Sequence, residues 1–228
     1  GVECTSAAEL AHAERCGFSG EQIRYAPQLP DEAGERLAAQ LGAELVLDDP
    51  ALRSGFLPER VLLRVWPGVR LHWRGKTVVQ SAKSKFGMTK RESFFLADYY
   101  ASQGAEVGLG LWLAENTCEA ELYPAETQLL LDWMREFRDR GGGRMTYCDL
   151  GPGPGSSRQT GAPDAVLAQI AAKVREVAGT SRIRFSAAPG AWLAAGRGML
   201  ITRVLTVKER ERPMIVLDLP SPVQLWPG

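Results

Sequence analysis

The sequence predicts an α/β protein: a (β/α)8-type TIM barrel lacking its first βα unit, followed by the start of a C-terminal β domain. Three observations carry this. Short apolar runs alternate with amphipathic helical stretches, the signature of repeated βα units. Seven strand starts precede Pro189, one short of the eight that close a barrel. After Gly198 the texture turns β-rich. The boundaries expected are 1–198 for the barrel and 199–228 for the beginning of the second domain.

The elements follow in order. Val2–Cys4 reads as a strand end. Ser6 with Glu9 three residues on forms a capping box for a helix over Ala7–Cys16. Gln22–Ala26 is the next strand, and Asp31 begins a helix reaching about Leu41. Glu44–Leu47 is a strand stopped at Asp48-Asp49-Pro50, where the two acids serve as a helix cap. Val61–Val65 is a strand stopped by Pro67-Gly68. An irregular segment from Val69 to about Thr89 leads to a helix over Arg91–Gln103. Then come a strand Val107–Leu113, a helix Pro124–Arg138 and the breaker Gly141-Gly142-Gly143. Met145–Leu150 is a strand running into Gly151-Pro152-Gly153-Pro154-Gly155-Ser156-Ser157. A helix Ala165–Val177 and a strand Arg182–Ser186 complete the series. Met199–Val207 and Met214–Leu219 are β-rich, joined by a charged turn over Lys208–Pro213. Because Gly1 is not an initiator methionine and the chain opens on a strand end, an N-terminally longer natural or ancestral protein is expected.

Composition narrows the function. With 45% hydrophobic and 24% charged residues, the chain has the balance of a soluble globular protein. A formal net charge of +0 offers no electrostatic grip on nucleic acid or an anionic membrane. No run approaches the ~20 apolar residues of a membrane helix. Cys4, Cys16, Cys118 and Cys148 are scattered, without zinc or redox spacing, so a reduced, cytoplasmic protein is expected. His12 and His72 lie near no other metal-ligand type at helical spacing, and no metal site is expected.

In a barrel the site lies at the C-terminal ends of the strands. The glycine-rich loop is the strongest local signal there. Gly151, Gly153 and Gly155 let backbone N–H groups approach a phosphate, and Ser156 adds a hydroxyl. Pro152 and Pro154 each remove a donor, so a plain turn stands as the other reading. Glu3, at a strand end, either faces the site or is a surface carboxylate. Trp112, Trp133 and Trp192 read most simply as core or interface aromatics, and Cys118 as a buried free thiol.

Five motifs in order carry a resemblance. Gly1–Leu10 (GVECTSAAEL) is similar to the second-strand motif of the ornithine, diaminopimelate and carboxynorspermidine decarboxylases. Val61–Gly68 (VLLRVWPG) resembles their LRINPG strand, and Ser84–Gly87 matches their SKFG. Asp149–Gly153 (DLGPG) sits where these enzymes carry a D-L-G-G-G phosphate loop. Ala188–Ala191 (APGA) sits where they carry E-P-G-R or E-P-G-E. The chain therefore resembles the pyridoxal-phosphate decarboxylases of the alanine-racemase-type barrel. The resemblance implies pyridoxal phosphate as cofactor, an amino acid or amine as small-molecule ligand, and a homodimer or a partner polypeptide. The implied cofactor-binding set is Glu3, Trp112, Gly151, Gly153, Gly155 and Ser156.

The same resemblance marks departures. The aldimine lysine belongs to a first strand that this sequence lacks, and Lys85 is the lysine of the KFG motif instead. Trp112 stands where a histidine stacks on the cofactor ring. Ala188 stands where a glutamate holds the pyridine nitrogen protonated. Ala191 stands where an arginine binds phosphate, and the C-terminal domain that completes the site across a dimer is missing. No catalytic residue is assigned. The expectation is a degenerate member of an amino-acid and polyamine lineage; the alternative is an active decarboxylase completed by a partner or by further chain.

Overall fold

The computed structural model describes all residues except 53, 54, 69, 74, 75, 80–83, 114–117, 156–162, 195–197 and 220–228. The chain divides into two compact units, Gly1–Leu193 and Ala194–Gly228. In the first, β1 (Val2–Cys4), α1 (Ala7–Arg15), β2 (Ile23–Tyr25), α2 (Glu32–Leu41), β3 (Glu44–Leu47) and β4 (Arg60–Val65) come in strict alternation until two strands meet at β4. An antiparallel hairpin follows, β5 (Arg70–Trp73) and β6 (Lys76–Val79). After it come α3 (Lys90–Ser102), β7 (Glu106–Leu111), α4 (Tyr123–Asp139), β8 (Tyr147–Asp149), α5 (Pro163–Ala178), β9 (Arg184–Ser186) and the short α6 (Gly190–Ala194).

Seven strands pair in parallel in the order β1-β2-β3-β4-β7-β8-β9. That is chain order with the hairpin set aside, and it is the order of a (β/α) barrel, not of a doubly wound sheet. The curl is demonstrated by side chains. Arg24 of β2 reaches Asp149 of β8 and Ser186 of β9, which only a sheet rolled on itself permits. The chain thus forms a curled partial barrel of seven parallel strands, as the sequence pattern leads one to expect.

Local chemistry explains the helix starts. Ser6 accepts from the Glu9 N–H, but the Glu9 carboxylate takes its bond from the Thr5 N–H and not from Ser6, so the expected capping box is displaced by one residue. Asp31 accepts from the Gly34 N–H at 2.8 Å and starts α2. Thr89 and Glu92 form a reciprocal box at the head of α3.

Strand periodicity then sorts the residues. Leu45, Leu47, Val61, Leu63, Leu109 and Cys148 point outward into the core beneath the helices. The alternate positions fill the barrel interior, where Ala26, Val46, Leu62 and Tyr147 form a small apolar cluster. A Cβ on Gly108 would lie 2.4 Å from the Tyr147 ring, so the interior is narrow.

The expected irregular segment after Val69 is corrected by the β5–β6 hairpin. Its end is also ordered: Met88 bridges Val65, donating to Arg64 O at 3.0 Å and accepting from Trp66 N at 2.7 Å. Gly87 permits this approach. Its φ is +90°, and a Cβ there would sit 2.6 Å from Trp66 N.

In the second unit, β10 (Val204–Lys208) and β11 (Met214–Leu217) form an antiparallel hairpin with Lys208 opposite Met214. Val204, Leu205, Val207, Met214 and Ile215 are exposed on it. Among the described residues no helix is long and apolar enough to cross a membrane.

Candidate functional site at the barrel mouth

The C-terminal strand ends converge as expected, and Arg64 is the organising group. It lies buried near the end of β4. Its guanidinium pairs with Glu3 of β1 at 3.5 Å and with Asp48, just beyond β3, at 3.4 Å. It also lies 4.6 Å from the Trp112 ring and 5.8 Å from Phe86. Phe86 stacks on Trp112 with centroids 4.7 Å apart. Glu3 thus faces the interior and is not a surface carboxylate, and Trp112 is half-buried at the mouth rather than in the core.

Burial pushes the Glu3 carboxyl upward against the pull of Arg64, with Asp149 adding to the rise. Burial likewise raises Asp48, opposed by Arg64 and by a backbone hydrogen bond from Gly87. Asp49 does the capping expected of the pair, accepting from the Ala51 N–H at 2.7 Å. A cavity of about 430 Å³ opens beside this cluster, bounded by Ala26, Asp48, Arg64, Lys85 and Phe86. Lys85 donates to Gln28 at its edge, 3.3 Å away.

Deeper in the barrel lies a second polar cluster. Arg24 donates to Asp149 at 2.5 Å, to Glu44 at 3.2 Å and to Ser186 at 3.1 Å. Ser186 also donates to Asp149 at 2.6 Å. Burial works against the Arg24 charge, but the carboxylates of Asp149 and Glu44 outweigh it and hold the guanidinium above its ordinary range. Sequence reasoning passed over this cluster: Arg24, Glu44 and Asp149 are each a charge flanked by apolar neighbours, but nothing in the strand pattern pairs them.

Asp149 also shapes the glycine loop, accepting from the Gly151 N–H at 2.8 Å. Gly151 has φ +76°, and a Cβ there would meet Leu111 O at 2.4 Å. The loop thereby packs onto the end of β7, next to Trp112. Gly153 packs against Pro189, and the Ala188 N–H donates to Gly151 O at 2.9 Å. Glu3, Trp112, Gly151, Gly153 and Ala188 therefore share one end of the barrel. Gly155 is buried and its carbonyl accepts from the half-buried Cys118 thiol at 3.2 Å. Ser156 lies outside the described residues.

These residues meet a phosphorylated pyridine ring unequally. Gly153 and Gly155 keep backbone N–H groups in a buried loop, whereas Pro152 and Pro154 have none and that of Gly151 is taken by Asp149. That end fits a phosphate. At the other end Trp112 is already engaged by Phe86 and Arg64, and Ala188, which the motif resemblance aligns with the family's ring-nitrogen glutamate, carries only a methyl group. Among the described residues no group of three or more His, Cys, Asp or Glu is placed to hold a metal.

Comparison with known proteins agrees with the fold. The chain is 29% identical over 221 residues to a diaminopimelate decarboxylase of Deinococcus radiodurans, covering 96% of this chain and 55% of that protein. It is 23% identical to the diaminopimelate decarboxylase of Methanothermobacter thermautotrophicus, covering 96% and 54%. The chain thus spans about half the length of these curated relatives. Among solved structures it is similar to diaminopimelate decarboxylase from Helicobacter pylori complexed with L-lysine, with TM-score 0.67, 18% identity and 96% and 58% of the two chains covered. It is also similar to lysine/ornithine decarboxylase from Vibrio vulnificus complexed with putrescine, with TM-score 0.66, 18% identity and 95% and 57% covered. Residues 1–195 match the family described as pyridoxal-dependent decarboxylase, pyridoxal binding domain, and with most of its length inside that match the chain belongs to this family, whose cofactor class is the one its motifs imply.

Proposed function

We propose that this chain is a decarboxylase-like pyridoxal-binding barrel that does not itself catalyse decarboxylation. The observation that carries the reading is Ala188. Its N–H bond to Gly151 fixes it beside the glycine loop, at the end of β9, with no charge to offer. Pyridoxal phosphate draws electrons from a bound amine when its ring nitrogen is kept protonated, and a methyl group does not do this. Loss of one oriented charge-stabilising group commonly costs about a hundredfold or more in rate. Glu3, Trp112, Gly151, Gly153, Gly155 and Ser156 are the residues proposed to line the cofactor end, and the ligand class is an amino acid or amine of polyamine or amino-acid metabolism.

Residues 1–198 act as the barrel domain and 199–228 as the start of a β domain. The exposed apolar residues of the β10–β11 hairpin support that division, since a two-stranded sheet does not bury its own apolar side chains. A homodimer is the assembly proposed. Four free cysteines support a reducing, cytoplasmic setting.

A second reading has its own support in length. Because the chain spans 55% and 54% of its curated relatives, an active decarboxylase completed by a further segment or a partner polypeptide is the alternative. Release of CO₂ from diaminopimelate, ornithine and carboxynorspermidine, measured with excess pyridoxal phosphate, separates the two. No release by the purified chain is expected. Turnover by the chain alone overturns the first reading, and turnover only with a second polypeptide establishes the alternative.

A further inference from the structure

A cavity of about 470 Å³ opens at the other end of the barrel, where Met145 leads into β8 and Ile183 leads into β9. At ~3.3 Å per residue the path from Met145 to Gly151 spans about 20 Å, so this cavity is separate from the mouth. Among the described residues four arginines line it and no carboxylate does. Arg135 and Arg138 come from the last turns of α4, Arg144 from the loop before β8, and Arg182 from the loop before β9.

General basicity does not account for this, because the chain balances 27 Lys and Arg against 27 Asp and Glu. Arg135 pairs with Asp132 and Arg138 with Asp139, each at 2.9 Å on the exposed helix surface. Such exposed pairs contribute little to stability and exchange readily. Arg144 and Arg182 are exposed and have no acidic partner among the described residues. Three separate segments thus bring like charges together around one concavity, and an anion entering it would be attracted by all four guanidinium groups.

The remaining lining sets the ligand's other half. Leu131, Met134 and Met145 are buried beneath the arginines, and Val177 and Ile183 are half-buried. Thr180 and Ser181 stand at the edge. A simple oxyanion would leave this apolar surface unused. Guanidinium forks match phosphate oxygens two at a time.

We propose that this cavity binds an organic polyphosphate, a nucleoside di- or triphosphate whose phosphates meet the arginines and whose base and sugar cover the apolar floor. The proposal stands independently of whether the mouth is catalytic. Calorimetric titration of the full chain with ATP, AMP and inorganic tripolyphosphate tests it. ATP binds tightest, at least about tenfold tighter than either AMP or tripolyphosphate, a factor of ten being 1.4 kcal/mol. The double variant Arg144→Glu/Arg182→Glu weakens ATP by about a hundredfold or more. Arg144→Gln alone, which adds no repulsion and leaves no partner behind, weakens it about tenfold. Arg91→Glu, on the exposed start of α3, leaves it unchanged, and circular dichroism confirms folding of each variant. Wild-type affinity in the double variant, or an equal loss with Arg91→Glu, overturns the site. Equal affinity for ATP and tripolyphosphate overturns the organic half of the ligand.

Discussion

Asp149 and Arg24 stand 125 positions apart in the chain and meet at 2.5 Å across the barrel interior. Their side chains are 5% and 15% exposed, so neither charge is solvated enough to stand alone. Glu44 is the second acid on the same guanidinium, so two carboxyl groups share one cation. Barrel interiors are more commonly filled with layers of branched apolar residues. Here an ionic layer ties β2 and β3 to β8 and β9 across the barrel interior.

Removing one member of that layer should be severe. Arg24→Met leaves Asp149 and Glu44 buried without a cation, and a loss of about 3–5 kcal/mol in urea-denaturation stability is expected. Asp149→Asn keeps the Arg24–Glu44 pair and should cost less than Arg24→Met. An Arg24→Met loss below about 1 kcal/mol would show that the interior is wetter than its burial indicates.

The mouth acids make stability depend on pH in a defined direction. Burial raises Glu3 above its ordinary value of 4.5 and Asp48 above 3.8 in the folded chain. A raised acid favours the folded state fully below its unfolded value, and that contribution fades as pH climbs through the folded value. From about pH 4 upward these two groups therefore subtract from stability. Glu3→Gln should flatten this part of the profile, measured as denaturation midpoints across the acid-to-neutral range. A steeper fall in the variant would falsify the assignment.

Gly87 should tolerate no side chain. Its φ of +90° and the 2.6 Å approach to Trp66 N combine strain with collision. Gly87→Ala is expected to cost at least about 1–3 kcal/mol from the backbone alone and to free the segment pinned by Met88. Faster amide exchange at Trp66 and Met88 than in the parent chain would register the release; unchanged protection would contradict it.

Much of the barrel was legible because long-range order follows from local pattern in βα units. All seven strands and the five long helices lie where the apolar runs and caps put them, within a residue or two at most ends. The β5–β6 hairpin escaped because four-residue strands such as Arg70–Trp73 are too short for a period-two pattern to separate from loop. The mouth was legible through Glu3, Trp112 and the glycines, each at a strand end. Arg64 was not, since its importance lies in three partners from other strands. The interior ions were equally hidden, because sequence shows a charge in a strand but not which charge across the barrel will meet it.

Ala188 offers the most direct test of the proposed inactivity. The residue is half-buried and its backbone is held by Gly151, so a longer side chain can be added without removing a bond that orders the loop. Ala188→Glu places a carboxylate at the end of β9, where a protonated ring nitrogen would be its partner. A charge-assisted hydrogen bond is worth about 1.5–3 kcal/mol, which is roughly tenfold or more in affinity. Tryptophan fluorescence titrated with pyridoxal phosphate should therefore report binding about tenfold tighter for Ala188→Glu than for the parent chain. Ala188→Leu adds bulk without charge and should bind no tighter than the parent. If the three proteins bind alike, the alanine at this position does not weaken the hold on pyridoxal phosphate, and the proposed inactivity loses its main support.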